Sequence, residues 1–300
     1  MERQPEIAIN QDSYGVKLVT LLRAVRPLNL FIVVLTQLVC YYLFDYSLFT
    51  GLSRFLLITA TTVCAAAAGN LVNDIFDIVP DSVNKPGRVW VNTKLSFKVA
   101  WEIYFTLALL ACLFAILFSL RLFLLVIIIQ AGLWFYSRRL SHIAVVGNIA
   151  VSLFTGLVIL IIPLAFSIYD EGQLVLGLFA FLLNLYREIV KDIQDMPGDE
   201  IAGRKTLPLL VKPKIILLVM AVLAIFPALA LDWLLVELWR YRGAEFWAMV
   251  LFFILPLHLL PAFLIAAARN SLYVKRSSTL LKLLMLGGLL FLLVSIYLNR

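Results

Sequence analysis

The feature that most constrains this 300-residue chain is a succession of apolar runs, each long enough to cross a lipid bilayer. A bilayer core needs about 20 apolar residues per helical crossing. Polar breaks separate about nine such stretches, near residues 27–46, 54–78, 97–118, 121–136, 146–168, 173–193, 214–236, 246–268 and 279–297. Hydrophobic residues make up 63% of the chain and charged residues 14%, a balance that no water-facing surface can cover. Inside lipid every backbone N–H and C=O must be satisfied internally, and the alternating strands of a barrel are absent, so the expected fold is all-α, a polytopic membrane bundle. One domain over residues 1–300 is expected. Residues 1–25 form a polar cytoplasmic leader with no cleavage pattern behind the first apolar run. Within it YGVKLVTLLRAV, residues 14–25, suits an amphipathic helix lying flat on the membrane surface.

The formal net charge of +7 does not point to nucleic acid, because the basic residues are spread over short loops rather than gathered in one folded patch. They report orientation instead. With nine crossings, Lys and Arg concentrate in the leader, the 80–99 and 137–145 loops, the 187–214 segment and the 269–278 loop, all on one side. The other side holds Arg54, Arg121, Arg240, Arg242 and Arg300, with Asp170 and Glu171 in one turn. The positive-inside rule then makes the leader cytoplasmic and the carboxyl terminus external. Cys40, Cys64 and Cys112 fall inside apolar stretches as small hydrophobes, and His142 and His258 suggest no site by spacing.

Against this background NLVNDIFDIVPDSVNKPGR, residues 70–88, is anomalous. At about 100° per residue, Asn70, Asp74, Asp77 and Asp81 share a helical sector of about 40°, flanked by Asn73. Pro80 is expected to stop or bend that helix, with Asp81 reaching the same face from the loop. YREIVKDIQDMPGDEIAGRKTLP, residues 186–208, repeats the pattern at a fixed offset of 118: Asn70 matches Glu188, Asn73 matches Lys191, Asp74 matches Asp192, Asp77 matches Asp195 and Asp81 matches Asp199. A plain alternative is that acidic residues mark where helices leave the lipid. Against it, carboxylates near a helix carboxyl terminus oppose the macrodipole. A charge at membrane depth also costs about 2.5 to 3.5 kcal/mol.

Clustered carboxylates without Cys or His select a hard divalent ion, and cytosolic supply favours Mg2+. Because Mg2+ is usually held by one or two carboxylates plus substrate phosphates, two acidic faces suggest a polyphosphate gripped between them. Lys85, Arg88, Lys191, Arg204 and Lys205 are candidates to complete a cage around phosphate oxygens, or else ordinary cytoplasmic anchors. A diphosphate at the mouth of an apolar cavity implies a ligand with an anionic head and a greasy tail, such as an isoprenyl diphosphate. Departure of its pyrophosphate needs Lewis-acid assistance and a dry pocket.

Asn73, Asp74, Asp77 and Asp81 resemble the NDxxDxxxD motif of the UbiA superfamily of intramembrane prenyltransferases, and Asp195 and Asp199 resemble its DxxxD motif. NKPGR stands near the family's N-x-P-x-R-P, with Val89 in place of the last proline. The resemblance implies nine helices around a central cavity, with Mg2+ and an isoprenyl diphosphate at the cytoplasmic end. The six carboxylates Asp74, Asp77, Asp81, Asp192, Asp195 and Asp199 are then the metal and diphosphate ligands. REIVKDIQDMPGD reads most like members that transfer a geranylgeranyl group from geranylgeranyl diphosphate to geranylgeranylglyceryl phosphate, whereas other members prenylate aromatic quinone precursors. In FYSRRLSHIAVVGN, residues 135–148, Tyr136 and Asn148 match a family pattern whose lysine is replaced by Ser141, close to Arg139. Asn29, in RAVRPLNL, fits a cavity-facing position, and Asn70 and Arg187 complete the candidate substrate-binding set. Two other classes fit less well. A CDP-alcohol phosphotransferase needs a DG-x-x-AR core, which the sequence lacks, and a cation or lipid transporter would place its carboxylates near mid-membrane.

Overall fold

The computed structural model describes residues 14–43, 51–166, 171–216, 218–220, 222–223, 225, 282–283, 286–287 and 289–290. The stretches expected near 214–236, 246–268 and 279–297 lie wholly or mostly outside these residues, as do His258 and residues 1–13 of the leader. Among the described residues the chain is helical, with isolated bridges pairing Val91 with Leu95 and Ile143 with Lys205.

The helices with defined bounds among the described residues are α1 Tyr14–Ala24, α2 Pro27–Leu43, α3 Leu52–Phe76, α4 Ile78–Asn84, α5 Phe97–Phe118, α6 Leu120–Arg138, α7 Val146–Phe166, α8 Glu171–Ile201 and the short turn α9 Leu207–Leu210. Among the described residues four stretches are long and apolar enough to cross a membrane: Leu52–Phe76, Phe97–Phe118, Leu120–His142 and Val146–Phe166. Local chemistry sets several boundaries. Arg26 closes α1 in the left-handed region, with φ 58°, and Pro27 then opens α2 at a position where its missing N–H costs nothing. Ser119 ends α5 and caps α6 by accepting a hydrogen bond from the Leu122 N–H at 3.1 Å, so one residue turns the chain back across the membrane.

The bundle packs mainly through α3 against α5 and α7 against α8. At the second interface a Cβ on Gly156 would lie 3.0 Å from the Gly177 carbonyl oxygen. Small residues bring these two helices close, as suits packing in lipid, where apolar burial alone provides no drive. One apolar cluster joins Tyr41, Phe55, Ile58, Leu122, Val126 and Ile162. A second, under the acidic segments, joins Leu71, Val72, Ile75, Trp90, Leu95 and Tyr104. The outer face of α5 leaves Phe105, Leu109, Leu113 and Leu117 exposed at helical spacing, a stripe that suits lipid rather than water.

Candidate active site

The first acidic segment is not one helix. Pro80 has no N–H for the Phe76 carbonyl and its ring would crowd that oxygen, so α3 ends at Phe76 and α4 begins at Ile78. Asp77 forms the joint, with φ −96° and ψ 15°, its N–H bonded to Asn73 O at 2.8 Å and its carbonyl accepting from the Asp81 N–H at 2.9 Å. This corrects the sequence expectation: the break falls three residues before the proline, and Asp81 sits in a helix rather than a loop. The second segment is built in the opposite sense. Pro197 does not end α8, which continues to Ile201 and carries Asp192, Asp195 and Asp199 on one unbroken helix.

The two segments meet. Asn84, the last residue of α4, donates from Nδ2 to Asp195 O at 2.8 Å and accepts from the Gly198 N–H at 2.9 Å. One carboxamide thus engages backbone groups on both sides of Pro197. The approach requires glycine at 198, because a Cβ there would lie 2.3 Å from both Asn84 Nδ2 and Pro80 O. Charges then cross the contact: Lys85 Nζ reaches Asp195 Oδ2 at 2.7 Å and Asp81 at 3.6 Å. Arg204 pairs with Asp77 and lies 3.6 Å from Asp199.

Each remaining carboxylate has its own partner. Arg26 pairs with Asp74 and donates to Asn73 Oδ1 at 3.2 Å, while Trp90 Nε1 donates to Asp74 Oδ2 at 2.7 Å. Asn73 Nδ2 donates to Asp77 Oδ2 at 2.9 Å, and Asn148, on α7, donates to Asp192 Oδ2 at 2.8 Å. Beyond the apolar spans, burial raises Asp81 above its ordinary range against the pull of Lys85, and burial pushes Asp199 to about 6 against the pull of Arg204.

The other residues singled out from sequence fall in three places. Lys191 and Arg187 turn to Glu188, at 3.0 and 2.6 Å, rather than to the motif aspartates. Asn70 donates to Val25 O at 3.0 Å, tying α3 to the leader, and Asn29 accepts from Lys282 at 3.4 Å. Tyr136 is half-buried within electrostatic reach of Lys191, Glu188, Asp77 and Asp192. The side chains of Arg139 and Lys205 are exposed, and Lys205 contributes its N–H to His142 O at 3.1 Å. Arg88 lies in a short 3-10 turn, Pro86–Arg88, between the first motif and the Trp90 loop. Arg26, Asn84, Trp90, Gly198 and Lys282 were not read from sequence as site residues. The signal at Arg26 was a cation at the Arg-Pro helix start, where the dipole disfavours it.

The donor set suits Mg2+. It offers carboxylate and carboxamide oxygens with no thiolate or imidazole, and among the described residues no three carboxylates come together to hold an ion unaided. Mg2+ usually takes one or two carboxylates and completes its shell with phosphate and water. Arg204 keeps a spare donor at the site: its side chain is 9% exposed and its Nε is buried with no hydrogen-bond partner.

An all-α membrane bundle with two aspartate segments joined at one end defines a class, that of polytopic helical membrane proteins with a paired aspartate site. The comparisons give the family. The profile of the UbiA prenyltransferase family matches residues 33–286, and the chain belongs to that family. Digeranylgeranylglyceryl phosphate synthase of Methanothermobacter thermautotrophicus is 33% identical over 186 residues, which span 61% of this chain and 64% of that protein. A solved structure described as giving structural and mechanistic insights into digeranylgeranylglyceryl phosphate synthase in membranes superposes with a TM-score of 0.69 at 25% identity, covering 93% of this chain and 98% of the other. A UbiA homolog from Archaeoglobus fulgidus bound to GPP and Mg2+ shares the fold, with a TM-score of 0.63 at 17% identity over 91% and 99% of the two chains. The protein is therefore an integral membrane protein with the UbiA fold.

Proposed function

We propose that the protein transfers a geranylgeranyl group from geranylgeranyl diphosphate to geranylgeranylglyceryl phosphate, with Mg2+ bound at the two aspartate segments on the cytoplasmic side of the membrane. The observation that carries the reading is the joint between α4 and α8, where Lys85 and Arg204 cross from one acidic segment to the other. Family membership and the likeness to the Methanothermobacter synthase support the donor and acceptor classes.

Asp74, Asp77 and Asp81 on one side and Asp192, Asp195 and Asp199 on the other are the residues that would hold Mg2+, which when bound would supply Lewis-acid charge to a departing diphosphate. The chain's own residues do the rest. Lys85 and Arg204 are placed to turn from carboxylate to phosphate oxygen, and the spare Arg204 Nε offers a further donor. Asn148 and Trp90 hold Asp192 and Asp74 in fixed rotamers from outside the motifs. As the allylic C–O bond breaks, its electron pair leaves with the diphosphate. The acceptor hydroxyl oxygen forms the new C–O bond and releases its proton to the departing phosphate oxygens. The carbon centre needs a dry surrounding, and the buried apolar cluster that includes Leu71, Val72 and Ile75 backs the first acidic segment.

The test incubates purified protein and Mg2+ with labelled geranylgeranyl diphosphate and three acceptors: geranylgeranylglyceryl phosphate, dihydroxynaphthoate and hydroxybenzoate. An ether-linked product with the glyceryl phosphate is expected, and product with an aromatic acceptor alone would overturn the acceptor assignment.

A further inference from the structure

Glu188 is a buried carboxylate with no part in the metal or diphosphate contacts above. It is 3% exposed and bonds Arg187 at 2.6 Å and Lys191 at 3.0 Å. Arg26 and Lys282 also lie within its electrostatic reach. The pair with Arg187 is anchored in turn. Arg187 Nε donates to Asn184 Oδ1 at 3.2 Å, and Asn184 Nδ2 donates to Ser152 Oγ, on α7, at 3.4 Å. Exchange of a buried ion pair for well-packed apolar residues is often neutral or stabilising, so stability alone gives no reason for this one.

The repeated pattern of the two acidic segments supplies a reason. Asn70 and Asn73 on α3 occupy the places that Glu188 and Lys191 hold on α8. Asn73 reaches forward by one turn, donating from Nδ2 to Asp77 Oδ2 at 2.9 Å. The same step on α8 would carry Lys191 to Asp195, because side chains four residues apart are neighbours on a helix. Lys191 lies within electrostatic reach of Asp192, Asp195 and Asp199, yet its bond runs backwards to Glu188. Asp192 receives instead the neutral amide of Asn148 at 2.8 Å, and Asp195 receives Lys85 from α4 at 2.7 Å. Lys85 takes Oδ2 of Asp195, which leaves Oδ1 for an ion. A second ammonium group on that carboxylate would leave it no free oxygen.

We propose that Glu188 is a positioning residue: it holds Lys191 one turn back along α8 and so keeps the Asp195 carboxylate for Lys85 and for a divalent ion. This rests on the metal reading above and not on the identity of the acceptor. Glu188 acts through Lys191 and touches neither ion nor substrate. Its hold is firm because Arg187, tied to Asn184, fixes the carboxylate from the other side. On α3 no such device is needed, because the residue in the place of Lys191 is a neutral asparagine.

The experiment titrates Mn2+, as a stand-in for Mg2+, into the full-length protein in phosphatidylcholine nanodiscs and reads the free-ion EPR signal with no diphosphate present. Glu188→Gln is expected to weaken Mn2+ binding by about tenfold to a hundredfold, the usual cost of removing an outer-shell partner of a metal site. Adding Lys191→Gln to that variant should restore most of the affinity, because no cation is left to divert. In an Asp195→Asn background Glu188→Gln should make little further difference, whereas in an Asp192→Asn background it should keep its full effect, since only contacting partners couple. Unchanged affinity in Glu188→Gln, no rescue by Lys191→Gln, or equal losses in the two aspartate backgrounds overturns the proposal. Where Glu188→Gln alone does not fold, the charge-conserving double variant Glu188→Gln/Lys191→Gln is compared with the wild type. Near-equal Mn2+ affinity supports the proposal, and a loss there of about tenfold or more, the scale of a lost metal-site partner, overturns it. A wild type that binds no Mn2+ removes the metal reading and this proposal with it, whereas a wild type that binds Mn2+ and is indifferent to Glu188→Gln removes this proposal alone.

Discussion

The two acidic segments share a pattern of aspartates but are built differently. The first is a helix broken at Asp77 and restarted before Pro80, and the second runs through Pro197 without interruption. Because α8 is continuous, Asp192, Asp195 and Asp199 have a fixed mutual spacing set by the helix itself. The break gives α4 its own direction, and with it Asp81, Asn84 and Lys85. That freedom lets α4 lie on α8 at Gly198 and present Lys85 to Asp195. One rigid ruler and one hinged arm make a joint that two straight helices diverging from the membrane would not form.

The largest effect tests whether the two segments act as one clamp. Asp77→Asn and Asp195→Asn should each lower kcat by roughly a thousandfold, the scale of removing a positioned electrostatic contact from a buried site. The double variant should lose little more than either single one, because residues acting as a unit are not additive. Single-turnover rates with labelled diphosphate check this. Full additivity would mean that the segments work separately.

Next is the contact itself. Gly198→Ala places a Cβ 2.3 Å from the Pro80 carbonyl and the Asn84 amide, so α4 must lift from α8. The cost should be about 1 to 3 kcal/mol in stability, typical of overpacking, with kcat falling because Lys85 no longer reaches Asp195. Gly87→Ala is the control: a Cβ there meets nothing within 4 Å, and stability should stay within about 0.5 kcal/mol. Thermal unfolding in detergent separates the two.

The prolines should divide as the helices do. Pro80→Ala returns an N–H to the Phe76 carbonyl and allows α3 to run on, which turns Asp81 and Lys85 away from α8. A several-fold loss of rate is expected without loss of stability. Pro197→Ala changes a helix that is already continuous and should leave the rate within about twofold. Equal effects at the two prolines would remove the distinction between hinge and ruler.

Much of this arrangement is legible in the sequence, and the rest is hidden for identifiable reasons. Apolar length marks α3, α5, α6 and α7 to within a few residues, since span length is set by the bilayer. The 3.6-residue period puts Asp74, Asp77 and Asp81 on one face, and charge alone flags Lys85 and Arg204. The position of the helix break does not follow from Pro80 alone, because a proline is tolerated both in the first turn of a new helix and late in a long one, and tertiary contact decides. Asn84 and Gly198 are ordinary residues in a motif-rich region, and only the approach of two distant segments gives them a role. Arg26 looks like one more cation of a membrane leader, and Lys282, on a stretch read simply as apolar, is 253 residues from the asparagine it meets.

The smallest expected effect probes the asymmetry from the α3 side. Trp90 is buried in a loop whose Lys94 and Leu95 N–H groups bond to its own carbonyl, at 2.9 and 3.1 Å, and its indole N–H reaches Asp74 from outside the acidic face. Asp192, the matching position on α8, is held by Asn148 from a neighbouring helix. Trp90→Phe keeps the apolar burial and removes one neutral donor, worth about 0.5 to 1.5 kcal/mol, so kcat/KM should fall by about two- to tenfold. Asn148→Ala removes a donor from a carboxylate fixed on an unbroken helix, where the backbone already limits the side chain, and should cost less. If Asn148→Ala proves the more damaging, rotamer control rather than backbone continuity sets the geometry of α8, and the contrast between hinged arm and rigid ruler has to be redrawn.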